Sequence, residues 1–188
     1  MDSLKKTVNI LLVDDLPANL LALEVILEPL GENLLQAVSG TAALAVARET
    51  ALAAVLIDVR MPGMDGFETA RHLRTLPGHA ATPILFITAD HDGAAHARSA
   101  YALGAVDFLP KPIVPEVLRA KVSVFVDLFR SKEQLREKTV FLEAVLESVS
   151  DAIVACDADG NLTLFNEASR RLHGLPQEFL RSSAWAAQ

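Results

Sequence analysis

Five polar residues each stand at or just beyond the end of a short apolar run. Asp14 and Asp15 follow "NILLV", Asp58 follows "AVLI", Thr88 follows "ILFI", and Lys111 lies two residues beyond "DFL". Three carboxylates brought together repel one another and, unpaired, hold raised pKa values. A hard divalent cation removes that conflict, and an oxygen-only donor set with no His or Cys nearby favours Mg2+. Three carboxylates, one Mg2+ and one ammonium then sum to zero charge. A carboxylate nucleophile beside Mg2+, a lysine and a hydroxyl is equipped for phosphoryl transfer, where the protein supplies positioning and charge stabilisation. Asp58 would be the nucleophile, forming an acyl phosphate. Thr88 could donate a hydrogen bond to the new phosphoryl oxygens, Lys111 could neutralise them, and the small Ala89 leaves room. Taken singly, each residue has a plainer use. Asp15, just before Pro17, reads as a helix N-cap with Asp14 simply exposed, and Asp58 as a turn residue before "MPGMDG". Thr88 reads as a cap or strand residue and Lys111 as a solvated loop lysine.

Whether the five meet depends on the elements that carry them. Up to about residue 127, short β-rich runs alternate with helical runs. Strands are predicted over 8–13, 34–38, 53–58, 83–88 and 105–109. Helices are predicted over 17–29, 41–50, 66–76 and 92–103, with a fifth from Pro115 and Gly104 as a C-cap. Five such units imply parallel strands, right-handed crossovers and helices on both faces. "AAVLID" and "PILFIT" are continuous apolar runs, as strands buried on both faces require. The expected architecture is α/β, a flavodoxin-like doubly wound five-stranded sheet of order 2-1-3-4-5. There strands one and three diverge, and ligands bind in the crevice at their carboxyl ends. That crevice is where Asp14, Asp15, Asp58, Thr88 and Lys111 would be gathered.

From Pro115 the pattern is helical, with no internal Gly or Pro. Leu128, Leu135, Leu142 and Val149 recur every seven residues, between mixed positions such as Ser131 and Lys138. This weak heptad supports either a final helix overrunning its domain as a solvated linker or a parallel two-stranded dimer helix. After Ser150, "DAIVACDADGNLTLFNEASRRLHGLPQEFL" predicts strands over 153–156 and 162–165 around a "DADGN" hairpin turn. Asn166 then caps a short helix through Leu172.

The 188 residues suffice for one good domain and something smaller. A net charge of −7 argues against a nucleic-acid surface, which needs clustered Lys and Arg. The single cysteine, Cys156, excludes an internal disulfide and fits a reducing compartment. The first residues lack an apolar signal region, and no run approaches the roughly 20 apolar residues that span a bilayer. The expected location is cytoplasmic, with no membrane partner. The five histidines, at 72, 79, 91, 96 and 173, show no metal spacing and read as surface or incidental residues.

"ILLVDD", "LIDVRMPGMDG", "ILFITA" and "GAVDFLPKP", in that order and spacing, resemble the receiver domain of two-component response regulators over about residues 7–127. The resemblance implies phosphorylation of Asp58 by a histidine kinase or phosphotransfer protein. It implies direct Mg2+ ligation by Asp15 and Asp58, looser help from Asp14, and ligation by the main-chain carbonyl of Arg60. Thr88 carries over as the switch hydroxyl and Lys111 as the phosphate-binding lysine, followed by a cis peptide to Pro112. Phe108 occupies the aromatic switch position, where many receivers have tyrosine; plain core and rotamer switch both fit it. Arg60 and Asp90 would flank the phosphate entrance, pairing with each other or shielding the phosphoryl group. Asp65 and Glu68 read as a capping-box-like helix start.

The tail resembles the opening of a PAS sensory domain, with about forty residues of a fold that needs roughly a hundred. Either the chain is part of a longer receiver–PAS protein or a partner packs the half-domain. The expected organisation is therefore a receiver at 1–127, a helical linker at 128–147 and the N-terminal portion of a PAS-like domain at 148–188. Such a chain is a switch rather than an enzyme. Phosphorylation would bias the face formed by the fourth helix, fifth strand and fifth helix, and change the geometry of a homodimer through that face or the linker. Another class is an aspartate-nucleophile phosphatase of the haloacid-dehalogenase type, but that needs D-x-D where this chain has D-D. A flavodoxin-like FMN carrier would want a Ser/Thr/Gly-rich loop in place of "DDLPAN". A degenerate receiver serving only for docking is disfavoured by the presence of all five site residues.

Overall fold

The computed structural model describes residues 7–88 and 107–174. The helix expected over 92–103, its cap Gly104, and Ala89, Asp90, His91 and His96 lie outside the described residues. The chain divides into two compact units, Met1–Arg130 and Ser131–Gln188. No helix among the described residues is long and apolar enough to cross a membrane.

In the first unit, strands β1 (Asn9–Val13), β2 (Asn33–Ala37), β3 (Ala54–Asp58), β4 (Ile84–Thr88) and β5 (Asp107–Pro110) form one sheet of order β2-β1-β3-β4-β5. All four pairings are parallel. The helices are α1 (Pro17–Leu27), α2 (Gly40–Glu49), α3 (Gly66–Thr75) and the long α4 (Pro115–Ser148), which runs on into the second unit. Successive strand residues point to opposite faces, so a strand covered on both sides must be apolar throughout. On one face Ile10, Leu12, Leu56 and Leu85 pack with Leu20 and Leu23 of α1 and with Leu118, Val122 and Phe125 of α4. On the other, Leu11, Val13, Val55, Ile57 and Phe86 pack with Ala43 and Ala47 of α2 and Ala70 and Leu73 of α3. Each fully buried Leu, Ile or Phe contributes about 1.5–3 kcal/mol.

Local chemistry sets the element ends. The first helix stops at Leu27 rather than Pro29, because proline lacks the N–H that an α-turn needs. The chain tightens into a 3-10 turn over Glu28–Leu30, closed by Gly31 at φ 68°. Asp65 caps α3, its carboxylate accepting from Glu68 N at 2.7 Å. Gly66 is required there for another reason: a Cβ would stand 2.3 Å from Asp58 O, so only glycine lets α3 start against the end of β3.

His79 departs from the expectation that the five histidines are surface or incidental residues. It is buried, with Nε2 2.7 Å from Ala47 O and Nδ1 3.2 Å from Thr82 Oγ1. It ties the α3–β4 connection to α2, a structural use that its sequence neighbours do not announce.

The second unit holds the end of α4, the antiparallel pair β6 (Val154–Cys156) and β7 (Leu162–Phe165), and α5 (Glu167–His173). Gly160, at φ 84°, turns the hairpin within "DADGN". Asn166 is the N-cap of α5, accepting from Ser169 N.

Candidate functional site

Strand order brings the polar residues to one end of the sheet. β1 and β3 are neighbours with Val13 opposite Ile57, so the chain delivers Asp14 and Asp58 side by side. Asp58 is opposite Ile87 on β4, which puts Thr88 one residue further along the same edge. Lys111 follows β5, and its backbone N–H donates to Thr88 O at 2.8 Å. A cavity of about 210 Å3 is lined by Asp14, Asp15, Asp58, Arg60, Thr88 and Lys111, together with Leu16, Asn19 and Val59. The Lys111–Pro112 peptide is cis, as the resemblance implied.

Lys111 Nζ donates to Asp58 Oδ1 at 2.5 Å and to Asp14 Oδ2 at 3.3 Å. Both carboxylates are almost removed from solvent, Asp58 at 7% and Asp14 at 1% exposure. Burial pushes the Lys111 pKa down, but the hydrogen bond and charge of Asp58, followed by those of Asp14, more than offset it. The net shift is upward, and the ammonium is retained. Arg60 N donates to Asp58 Oδ2 at 2.7 Å, so each carboxylate oxygen of Asp58 has a fixed donor.

The adjacent aspartates divide sharply. Asp14 is buried and fully engaged: Oδ1 accepts from Leu16 N and Asn19 Nδ2 and Oδ2 from Asn19 Nδ2, all at 2.9 Å, in addition to Lys111. Asp15 is half-buried on the cavity wall, and no described residue donates to its carboxylate. The plain readings of this pair therefore do not hold. Leu16, not Asp15, is the N-cap residue of α1, without a side-chain cap bond, and Asp14 is not exposed.

The expected meeting of three carboxylates takes the form of a shared cavity rather than a ready-made metal cluster. Among the described residues no group of three or more His, Cys, Asp or Glu is gathered tightly enough to hold a metal. The Lys111 ammonium lies between Asp14 and Asp58, pairs with both and offsets one of their two charges. The donor types still suit a hard divalent ion, since the described lining offers oxygen ligands without His or Cys and no described residue donates to Asp15.

Phe108 lies on β5, partly buried, stacked on Phe86 with centroids 5.3 Å apart and tilted against Phe67 at 6.4 Å. Two contributors to the site escape a reading for chemistry. Asn19 holds Asp14 by both oxygens, and its only sequence signal is a position one helical turn into α1. Gly66 sets the approach of α3 to Asp58, signalled by "MDG" alone.

A family model for the response regulator receiver domain matches residues 10–123. The chain belongs to this family. Receiver domains are phosphoacceptor switches of two-component signalling that interact with histidine kinases or phosphotransfer proteins, and they bind Mg2+ in the active site. A PAS-domain model matches residues 140–187, so the receiver is followed by a partial PAS segment. The chain is 37% identical over 139 residues to the cyclic di-GMP phosphodiesterase response regulator RpfG of Xanthomonas campestris pv. campestris. That match covers 67% of this chain and 36% of the relative, so the chain spans about a third of that protein. Among solved structures, the chemotaxis protein CheY4 of Vibrio cholerae superposes with a TM-score of 0.61 at 29% identity, covering 64% of this chain and 99% of that one. The receiver domain of the sensor histidine kinase PA1611 of Pseudomonas aeruginosa, with magnesium coordinated in its active-site cleft, gives 0.59 at 27% identity. It covers 65% of this chain and 99% of its own. Receiver membership displaces the phosphatase and FMN-carrier alternatives.

Proposed function

We propose that the chain accepts a phosphoryl group on Asp58 from a phosphohistidine of a histidine kinase or phosphotransfer protein. A carboxylate oxygen of Asp58 attacks phosphorus, the P–N bond to the donor imidazole breaks, and the imidazole nitrogen keeps the electron pair. The product is an acyl phosphate on Asp58. Asp15, Asp58 and the main-chain carbonyl of Arg60 would hold Mg2+, with Asp14 in a looser role because its oxygens are already engaged. When bound, Mg2+ supplies charge neutralisation at the phosphoryl oxygens.

The observation that carries this reading is the Lys111 ammonium 2.5 Å from Asp58 Oδ1, inside a cavity that Thr88 also lines. The ammonium, already held there, would transfer to a phosphoryl oxygen as that oxygen's charge builds, and the Thr88 hydroxyl would donate to another. Moving Lys111 and Thr88 toward the phosphate would pull on the ends of β4 and β5, and Phe108 on β5 would follow. The change would pass along α4 to the PAS segment, with domain limits at 1–127, 128–147 and 148–188. The test is intact mass after incubation with Mg2+ and acetyl phosphate. One phosphoryl adduct is expected, absent from Asp58→Ala; an adduct that persists in that variant defeats the reading.

The proposed partner for α4 is a second copy of the chain. Leu128, Leu135 and Leu142 recur every seven residues at 61%, 67% and 58% exposure, an apolar stripe on one helix. In a parallel, in-register pair with these leucines at a positions, Asp127 at g faces the other chain's Lys132 at e, an attractive match. Sedimentation of the full chain, with and without acetyl phosphate, tests this; a monomer under both conditions rejects it.

A further inference from the structure

The side chain of Asn166 is 2% exposed and uses both of its ends. Its Oδ1 accepts from the backbone N–H of Ile153 at 2.8 Å and of Ser169 at 3.1 Å. Because a backbone N–H can only donate, these two bonds fix which side-chain atom is the oxygen. The Nδ2 group faces three carbonyls: Asp151 at 2.9 Å, Leu146 at 3.1 Å and Val149 at 3.3 Å. Leu146 lies in the last turn of α4, its carbonyl also accepting from Val149 N at 3.4 Å, and Val149 lies just beyond the helix, where carbonyls have no donor four residues on. One side chain thus closes the end of α4, starts α5 and holds the entry to β6. Arg170 adds a second tie, its Nη1 and Nη2 donating to the two Glu147 oxygens at 3.1 and 2.7 Å. Nη1 also donates to Phe165 O at 2.9 Å.

Capping α5 does not by itself require asparagine. Serine, threonine or aspartate supplies the acceptor that an N-cap needs. What asparagine adds is the amide group, whose two protons face the carbonyls of Leu146 in the last turn of α4, of Val149 just beyond it and of Asp151.

We propose that Asn166 couples the linker helix to the PAS segment: winding or fraying of the last turn of α4 makes or breaks its bonds to Leu146 and Val149 and so moves the start of β6 and α5. This goes beyond the phosphoacceptor reading and holds whether or not Asp58 is modified.

The test is residue-resolved amide hydrogen exchange on the full chain. Glu143→Gly, at an exposed position of α4, loosens the last turns about fivefold, the population ratio a glycine in a helix interior produces. In the otherwise unchanged chain this should raise exchange at Ile153 and Ser169 by a similar factor. In an Asn166→Ser background, which keeps the cap of α5 but has no amide protons for α4, the same glycine should leave those two amides unmoved. Responses of equal size in both backgrounds overturn the proposal, as does the absence of a response in the first. If Asn166→Ser does not fold, Arg170→Ala removes the second tie between the same elements. There the response should shrink to less than half, and an undiminished one again overturns the proposal.

Discussion

All five residues of β3 and of β4 are buried, whereas all three residues of β6 are exposed. The receiver sheet is sandwiched between helices and owes its order to apolar area removed from water. Among the described residues of the PAS segment, the buried ones are Ala168 and Ser169 at the start of α5 and the capping Asn166, on which hydrogen bonds from Ile153 and Ser169 converge. Charge is placed differently too. The receiver buries its acidic site under a lysine, while in the PAS segment the Arg170–Glu147 fork leaves the Glu147 side chain 43% exposed. A buried apolar sheet can hold like charges at its edge because most of its stability comes from apolar burial and a lysine pairs them. A small polar junction has no such reserve, and it responds to whatever happens at the end of the helix it caps.

The contrast can be broken at its strongest point first. Leu56→Ala, on the central strand with no exposure, should cost about 2–5 kcal/mol through lost burial and a residual cavity, measured by urea denaturation of the receiver signal. A cost below 1 kcal/mol would mean that the sheet is not what holds the first unit. Lys111→Met comes next. It strands two buried carboxylates, and a loss on the order of 2 kcal/mol is expected, below the range for a fully buried pair because the ammonium is 29% exposed. Addition of Mg2+ should recover part of that loss; no recovery would argue against cation binding at this cavity.

The raised pKa of Lys111 and the lowered pKa of Glu147 should act at opposite ends of the pH scale. Lys111 has a raised pKa, so its contribution is complete below the unfolded lysine value, about 10.4. It is lost as pH rises through the higher folded value. Glu147 is held below its ordinary value, first by the Arg170 hydrogen bond, so its contribution is present above about 4.3 and fades as pH falls through the lower folded value. Carboxyl and ammonium chemical shifts through a titration check both, and loss of the Glu147 pair near neutral pH would contradict the geometry. The smallest effect is expected at Val154→Ala on β6, within about 0.5 kcal/mol, because a side chain 48% exposed has little burial to lose.

The parallel sheet was legible because strands buried on both faces have to be apolar at every position, and "AAVLID" and "PILFIT" show that directly. The hairpin was legible from Gly160 and its neighbours, and the cap of α5 from Asn166, since both are local devices. The candidate site was legible only in part. Its residue types stand at strand ends, but Asp14 being buried, Lys111 taking the place between two carboxylates, and His79 reaching Ala47 depend on partners 32 to 97 residues away. Pro29 was read as the last residue of the first helix, whereas the helix stops at Leu27, although the missing N–H is a local fact.

Sequence alone determined the element order, the sheet topology and the set of polar residues at its carboxyl edge. Each follows from periodicity, chain handedness and residue type, which act over a few neighbours. Tertiary structure decided the division of labour within that set, with Asp14 sealed by Asn19 and Lys111 and Asp15 without a donor among the described residues, and it turned Asn166 from a simple cap into a tie on α4. Those outcomes depend on which groups reach one another after folding. Hydrogen bonds and charge pairs act over a few ångströms in space, however far apart their residues stand in the chain.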